Sequence, residues 1–319
     1  MSIAGELNHH LEASMMARVA WYYYVEGLTQ NEIAERLNIN RIRVNRILAQ
    51  ARECGIVQVR IDSPINLEME QELERSFGIS KAILVPAPSD SDKLTQSIAN
   101  AAGSLLSERL KSGMSVGVGW GRTLRFSVNA IERKFIENIS IVSLLGGLTR
   151  GSVMNTYETA SRMADIFQAD CFYIAAPAFA DNENIASLFR SQSSVTDAFD
   201  HARRVDIAMI SVGSLDENST MLKLGLIDQS DVESLRQAGA VGDLCAQWIN
   251  AKGDVIDHPL NRRVIALPVA DLDQIPLVVL ASGGPEKVPV IFGAVKRGSI
   301  DVLVTDEQTG QQLLNMKQK

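Results

Sequence analysis

Seven short runs dominated by Val, Ile, Leu and Ala recur beyond residue 80: KAILVPA, MSVGVGW, ISIVSLLGG, DCFYIAAPA, VDIAMISVG, PLVVLASGG and DVLVTD. Stretches of helical spacing separate them. A strand that is apolar on both faces needs cover on both, and helices in the connections supply it. This alternation restricts the region to a parallel α/β sheet sandwiched between helices. At 319 residues the chain has room for a second, smaller domain, and 46% hydrophobic with 22% charged residues is an ordinary globular balance.

The segment before residue 62 follows a different pattern. Ile33, Ala34 and Leu37 recur at helical spacing, as do Val44, Ile47, Leu48 and Ala51. Aligned with a helix-turn-helix from Gln30, the small position where two helices touch falls on Ala34. The turn position falls on Asn38, a residue type that tolerates the left-handed conformation. Val44 and Ile47 then anchor the second helix. Its outer face is left with Asn40, Arg41, Ile42, Asn45 and Arg46, where a recognition helix meets base edges in the major groove.

Arg41, Asn45 and Arg46 suit bidentate contacts with purine edges, whereas Arg36, Arg43, Arg52 and Arg60 are placed to meet phosphates. Between Arg36 and Arg60 there are six arginines and one acid, Glu53, a local charge of +5 in a chain of net charge -7. The remainder therefore carries -12, so the basic character is confined to the expected DNA-reading face. The strand-like GIVQVRID, with Val57, Val59 and Ile61 on one face, is expected to add a wing. In the preceding helix Ala17, Ala20, Trp21 and Tyr24 form an apolar stripe expected to face the core. Leu67 to Phe77 is predicted as a connecting helix ended by Gly78, after the break at Ser63 and Pro64. The expected organisation is a DNA-binding domain over 1–62, a connecting element over 63–80 and an α/β domain over 81–319.

Three loops follow apolar strands and lead into helices, the place where open α/β sheets bind ligands. VGVGWGRTL has glycines at 117, 119 and 121, which allow a tight turn and expose amides to an anion. A dinucleotide fingerprint would need glycine at 122, where Arg122 stands. In LLGGLTRGSVMN, Gly146 and Gly147 follow a strand and Asn155 is a helix cap. In TDEQTG, Thr305 and Gln308 have capping-box spacing. Together the three loops point to a small anionic or polyhydroxylated ligand.

The helix-turn-helix of 29–52, with GVGWGRTL, LLGG, GAVGD, DHPLNRRVIAL and AVKRGSIDVLVTDEQT, resembles the SorC family of sugar-responsive bacterial transcription regulators nearly end to end. The resemblance implies an effector domain with the Rossmann-like fold of sugar-phosphate isomerases and deaminases. It also implies a dimer or tetramer on a double-stranded operator, released or rearranged by a sugar, polyol or sugar phosphate. Carried over by motif, Gly119, Gly121, Arg122, Thr123, Gly146 and Gly147 would line the pocket, with Asn155 near it. Asp243 would accept hydrogen bonds from sugar hydroxyls or cap a helix, and Lys296 would pair with a phosphate. Asp306 would be a pocket wall or a first-turn acid. Leu148 and Thr149 form no obvious phosphate cup, and Arg122, Arg150 and Lys296 are the cations available for one, so a free sugar stays open beside a phosphate.

Catalysis is the rival reading, with Asp243 and His258 as acid and base. They are 15 positions apart with no motif joining them to a nucleophile, so no enzyme activity is expected. A third reading makes the large domain only an oligomerisation module for architectural DNA binding. The four histidines (9, 10, 201, 258) show no metal spacing, and the three cysteines (54, 171, 245) are expected to be mostly buried free thiols. No metal or cofactor is expected. No apolar run approaches the about 20 residues that span a bilayer, and the first residues lack a signal-peptide pattern; a cytoplasmic location is the expectation.

Overall fold

The computed structural model describes residues 3–57, 66–132, 135–148 and 155–318. The chain divides into two units, Met1–Asp62 and Ser63–Lys319. The expected wing strand from residue 58 onward, Arg60, the break at Ser63 and Pro64, and Thr149 and Arg150 lie outside the described residues.

In the first unit α1 (Ile3–Tyr24) packs on α2 (Gln30–Leu37) and α3 (Arg41–Glu53). Thr29 and Glu32 cap α2 reciprocally, the Thr29 hydroxyl accepting from the Glu32 amide and the Glu32 carboxylate accepting from the Thr29 amide at 2.7 Å. Asn38 ends the helix at φ 52°, the left-handed turn that its residue type suggests. Asn40 then caps α3, its Oδ1 accepting the Arg43 amide at 2.8 Å. Val19, Ile33, Ala34, Val44, Ile47 and Leu48 form the core.

The expected stripe on α1 is displaced. Val19 and Ala20 are buried and Tyr22 partly so, but Ala17, Trp21 and Tyr24 are exposed. The face docked on α3 runs through Met15, Met16, Val19 and Tyr22, about one residue from the line through Ala17 and Tyr24. Four aromatics in a row, Trp21 to Tyr24, give no phase, and contact with α3 decides it.

In the second unit each of the seven apolar runs becomes a strand of one parallel sheet: β1 (Lys81–Val85), β2 (Ser115–Val118), β3 (Ser140–Ser143), β4 (Asp170–Phe172), β5 (Ile207–Ile210), β9 (Leu277–Ala281) and β10 (Val302–Asp306). Three further strands, β6 (Val212–Ser214), β7 (Gly242–Leu244) and β8 (Gln247–Ile249), form a separate antiparallel sheet that the sequence did not announce. The parallel order is β1-β10-β9-β5-β2-β3-β4. From β2 the chain progresses outward through β3 and β4. It returns to the other side of β2 with β5, then progresses through β9 and β10. The direction of winding therefore reverses between β2 and β5, and a crevice opens there beyond the strand ends.

Alternate residues of the strands face opposite layers. Ile207, Met209, Val279 and Val302 pack with α5 (Ser91–Arg109), α6 (Arg122–Ser127) and α7 (Thr156–Phe167). Ala208, Ile210, Val278 and Leu303 pack with α4 (Leu67–Phe77), α9 (Ser193–Arg203), α13 (Val288–Arg297) and α14 (Glu307–Lys317). The antiparallel strands are covered by α10 (Thr220–Lys223), α11 (Gln229–Gln237) and α12 (Pro259–Arg263), and α8 (Glu183–Arg190) packs beside α9.

Helix α4, expected as a connector, is instead part of the large unit. Leu73 is fully buried, and two carboxylates one turn apart face the open edge of β1. Glu70 accepts the Leu84 amide at 2.8 Å and Glu74 accepts the Ala82 amide at 3.0 Å. Edge amides would otherwise be free to pair with another strand; here helix side chains satisfy them.

Candidate effector pocket and nucleic-acid interface

Two regions of the structure gather the residues singled out by the sequence, one in each unit. On α3, Asn45 and Arg46 are exposed, and Ile42 is 73% exposed. Arg43 is exposed as well. Other members of the expected set are already engaged. The Asn40 carboxamide caps the helix. Arg41 reaches across the turn, donating from Nε to Gln30 Oε1 at 3.2 Å. It also lines an open groove of about 600 Å³ with Tyr23, Gly27, Leu28, Thr29 and Asn31.

Arg36 is placed as a phosphate contact by sequence, but its guanidinium lies 2.7 Å from Glu26 and 4.4 Å from the centre of the Tyr22 ring. That stacked and paired arrangement fixes the end of α1 to α2. Arg52 donates to the Leu48 carbonyl within its own helix at 3.4 Å.

The second region lies at the crevice between β2 and β5. The Gly119 amide donates to the Met209 carbonyl at 2.9 Å, tying the two strand ends together. Gly121 opens α6 at φ 117°, a backbone that side chains with a Cβ rarely adopt. Thr123 is buried in the same short helix. Arg122 forms an ion pair with Asp92 at the start of α5, which holds the Asp92 carboxyl below the usual range.

Asp243 occupies the middle strand of the antiparallel sheet, not a helix cap, and is 4% exposed. Burial pushes its pKa up to about 7, opposed by hydrogen bonding from the Ala246 amide, by the Lys287 charge and by the Trp120 indole. Gly213 across the sheet leaves room for this carboxyl, since a Cβ there would stand 2.1 Å from Asp243 Oδ1 and displace it. The two residues after β7, Cys245 and Ala246, make the β7–β8 turn with φ 50° and 65°, and Asp243 Oδ2 accepts the Ala246 amide at 3.1 Å.

Lys287 is the group that sequence reading missed. It follows the glycine pair Gly283–Gly284 after β9, the same pattern of glycines after an apolar strand that drew attention to the other loops. Its pKa is lowered by burial, and Arg122 lowers it further, while Glu286, Asp243 and Asp216 act in the opposite sense. Two cations and a buried carboxyl thus converge at the reversal of strand order.

Lys296 is not part of this constellation. It sits in the last turn of α13, exposed, with its ammonium 5.6 Å from the Phe292 ring centre. The helix begins near the carboxyl ends of the strands and carries Lys296 away from them. Asp306 is spent internally: its oxygens accept the Thr309 amide at 2.9 Å, the Thr309 hydroxyl at 2.6 Å and the Gly284 amide at 3.1 Å. It caps α14 one position later than the Thr305 spacing suggests, and it fixes the loop that carries Lys287.

Gly146 and Gly147 likewise serve packing. Their amides donate to the Ile265 and Ala176 carbonyls, both at 2.9 Å. A Cβ on Gly146 would lie 2.5 Å from the Ala176 oxygen, and one on Gly147 would lie 2.4 Å from the Tyr157 ring. Asn155 caps α7 as expected, and its amide nitrogen also donates to the Leu148 carbonyl at 3.0 Å. His258, cast by the catalytic reading as an acid or base, accepts the Leu260 amide as the cap of α12. No group of side chains suited to hold a metal ion occurs among the described residues. No helix among them is long and apolar enough to cross a membrane. The three cysteines are free, with Cys245 buried and Cys54 exposed rather than buried as expected.

Residues 64–315 match the family described as "Putative sugar-binding domain", and residues 18–54 match sigma-70 region 4, a helix-turn-helix region. The erythritol catabolism regulatory protein EryD of Brucella abortus is 29% identical over 305 residues, covering 94% of this chain and 96% of that protein. The deoxyribonucleoside regulator of Bacillus subtilis is 30% identical over 298 residues, covering 92% and 95%. Among solved structures, the full-length sorbitol operon regulator SorC of Klebsiella pneumoniae superposes with a TM-score of 0.72 at 25% identity, covering 95% of this chain and 99% of that one.

Proposed function

We propose, from the premise that this chain belongs to the SorC family of sugar-binding transcriptional regulators, that its effector is a phosphorylated sugar or polyol held in the crevice between β2 and β5. A ligand there regulates binding of α3 to a double-stranded operator in the cytoplasm. The observation that carries this reading is the pair Lys287 and Arg122 beside the buried Asp243. A half-buried ammonium whose pKa is lowered first by desolvation, and further by a second cation, gains from a dianion, which relieves both effects. Asp243 accepts from hydroxyls at the other end of the ligand.

Arg41, beside the groove at the start of α2, meets a backbone phosphate in this arrangement, and Asn45 and Arg46 face bases. The pocket acts as a receptor and not a catalytic site, because His258 is committed to capping. Ligand and operator are coupled through differential affinity for two states of a homo-oligomer, whose size light scattering of the purified chain measures.

A free polyol is the second reading. It is favoured by the Asp92 carboxylate that already neutralises Arg122, and erythritol figures in the name of one relative. A thermal-shift panel of sugars, polyols and their phosphate esters separates the two, since a ligand that binds only the folded state stabilises it by mass action. Phosphate esters are expected to raise Tm where the parent polyols do not, and Lys287→Met to abolish that preference. Equal shifts by ester and parent refute the phosphate assignment. No shift by any compound refutes the pocket.

A further inference from the structure

We infer that Ile42 reads the C5-methyl group of a thymine, so that the operator carries a T at a fixed position under the start of each bound α3. This inference rests on the reading of α3 as the recognition helix. Ile42 is 73% exposed, more than any other large apolar side chain among the described residues. A lone exposed apolar residue is ordinary on a protein surface; its setting here is not. It occupies the second position of α3, one turn before Asn45 and Arg46 and thus on the same face.

Of the five side chains expected at base edges, two are tied within the protein. Asn40 is committed to the Arg43 amide, and Arg41 is tethered to Gln30. Ile42, Asn45 and Arg46 remain to read sequence. Asn and Arg recognise hydrogen-bonding edges, whereas an aliphatic group has one specific counterpart in the major groove, the thymine methyl. A β-branched side chain in a helix is held in essentially one rotamer, so Ile42 presents its surface with little ordering cost. The capping of α3 by Asn40 fixes the turn on which it stands.

The test uses the full-length chain. Duplexes enriched from a random library supply a binding site, and each thymine of that site is replaced singly by deoxyuridine, which lacks only the methyl. With the unaltered protein one thymine per bound helix is expected to show about fourfold weaker binding as uridine. That corresponds to burial of about one methyl-sized group. With Ile42→Ala the thymine and uridine duplexes are expected to bind equally. The exposed position leaves the fold of the variant intact, and an unchanged melting temperature verifies this. Indifference of the unaltered protein to every uridine overturns the inference, as does a thymine preference retained by Ile42→Ala. Failure to enrich any sequence overturns instead the recognition-helix reading on which it rests.

Discussion

Replacement of Asp243 by Asn gives the sharpest test of the pocket's electrostatics, because the side chain is nearly isosteric and only the charge is lost. An unfolded Asp titrates near 3.8, whereas in the folded protein burial raises Asp243 to about 7. A raised folded pKa means that the folded state binds the proton more tightly. The stability that proton contributes is complete below about pH 4 and is lost as pH rises through 7. Three pKa units correspond to about 4 kcal/mol over the whole window. About 3 kcal/mol of this falls between pH 5 and pH 8.

Asn carries no such dependence. It can still accept the Ala246 amide, at the cost of an amide group facing sites built for an acceptor, about 1–3 kcal/mol. That cost is the same at both pH values and cancels in the comparison. The difference in stability between Asp243→Asn and the unaltered chain should therefore shift in the variant's favour by about 3 kcal/mol from pH 5 to pH 8. For a unit of this size that is a relative Tm change of about 6–12 °C. Thermal unfolding of both proteins at the two pH values, without sugar, measures it. A stability difference that is the same at pH 5 and pH 8 refutes the raised pKa, and with it the assignment of Asp243 as a carboxyl that is partly protonated near neutrality.

Removing Glu70 as Glu70→Ala should cost about 1–3 kcal/mol in urea unfolding, because it leaves the buried Leu84 amide without an acceptor. Glu74→Ala, whose partner amide is only partly buried, should cost less. Arg36→Ala should lower stability by about 1 kcal/mol through loss of the Glu26 pair and the Tyr22 stack. It should leave the salt dependence of operator binding unchanged; a slope reduced by about one unit in a salt titration would restore Arg36 as a phosphate contact.

The parallel sheet was legible because its strands are buried on both faces and so appear as uninterrupted apolar runs. The antiparallel sheet was not. Its strands are three residues each, too short to establish an alternation of period two. Its tight turn is made by Cys245 and Ala246 in the left-handed region instead of the Asn or Gly that normally mark such turns. The helix-turn-helix was legible down to Asn38 because its geometry is fixed by local contacts. The phase of α1 was hidden, since a helix rich in aromatics offers several faces and only the partner helix selects one.

The pocket residues divide according to where their polar atoms are spent. Sequence supplies residue types with the capacity to bind a ligand, but the fold draws on the same capacity. Asp306, Gly146 and Gly147 have their polar groups committed to holding loops in place, and they act on the pocket through the segments they fix. The choice between Lys296 and Lys287 turns on geometry alone. Both belong to the segment after β9 that runs from the short turn at Pro285–Lys287 to the end of α13, nine residues apart, which at 1.5 Å per helical residue is about 13 Å. A helix that follows a parallel strand must run back toward the strand's start, so only its beginning lies at the ligand-binding edge. A cation placed at that beginning also meets the N-terminal end of the helix dipole, which disfavours it unless an anion arrives. The desolvation of half-buried Lys287, and its repulsion from Arg122, are therefore what a phosphate bound there would relieve.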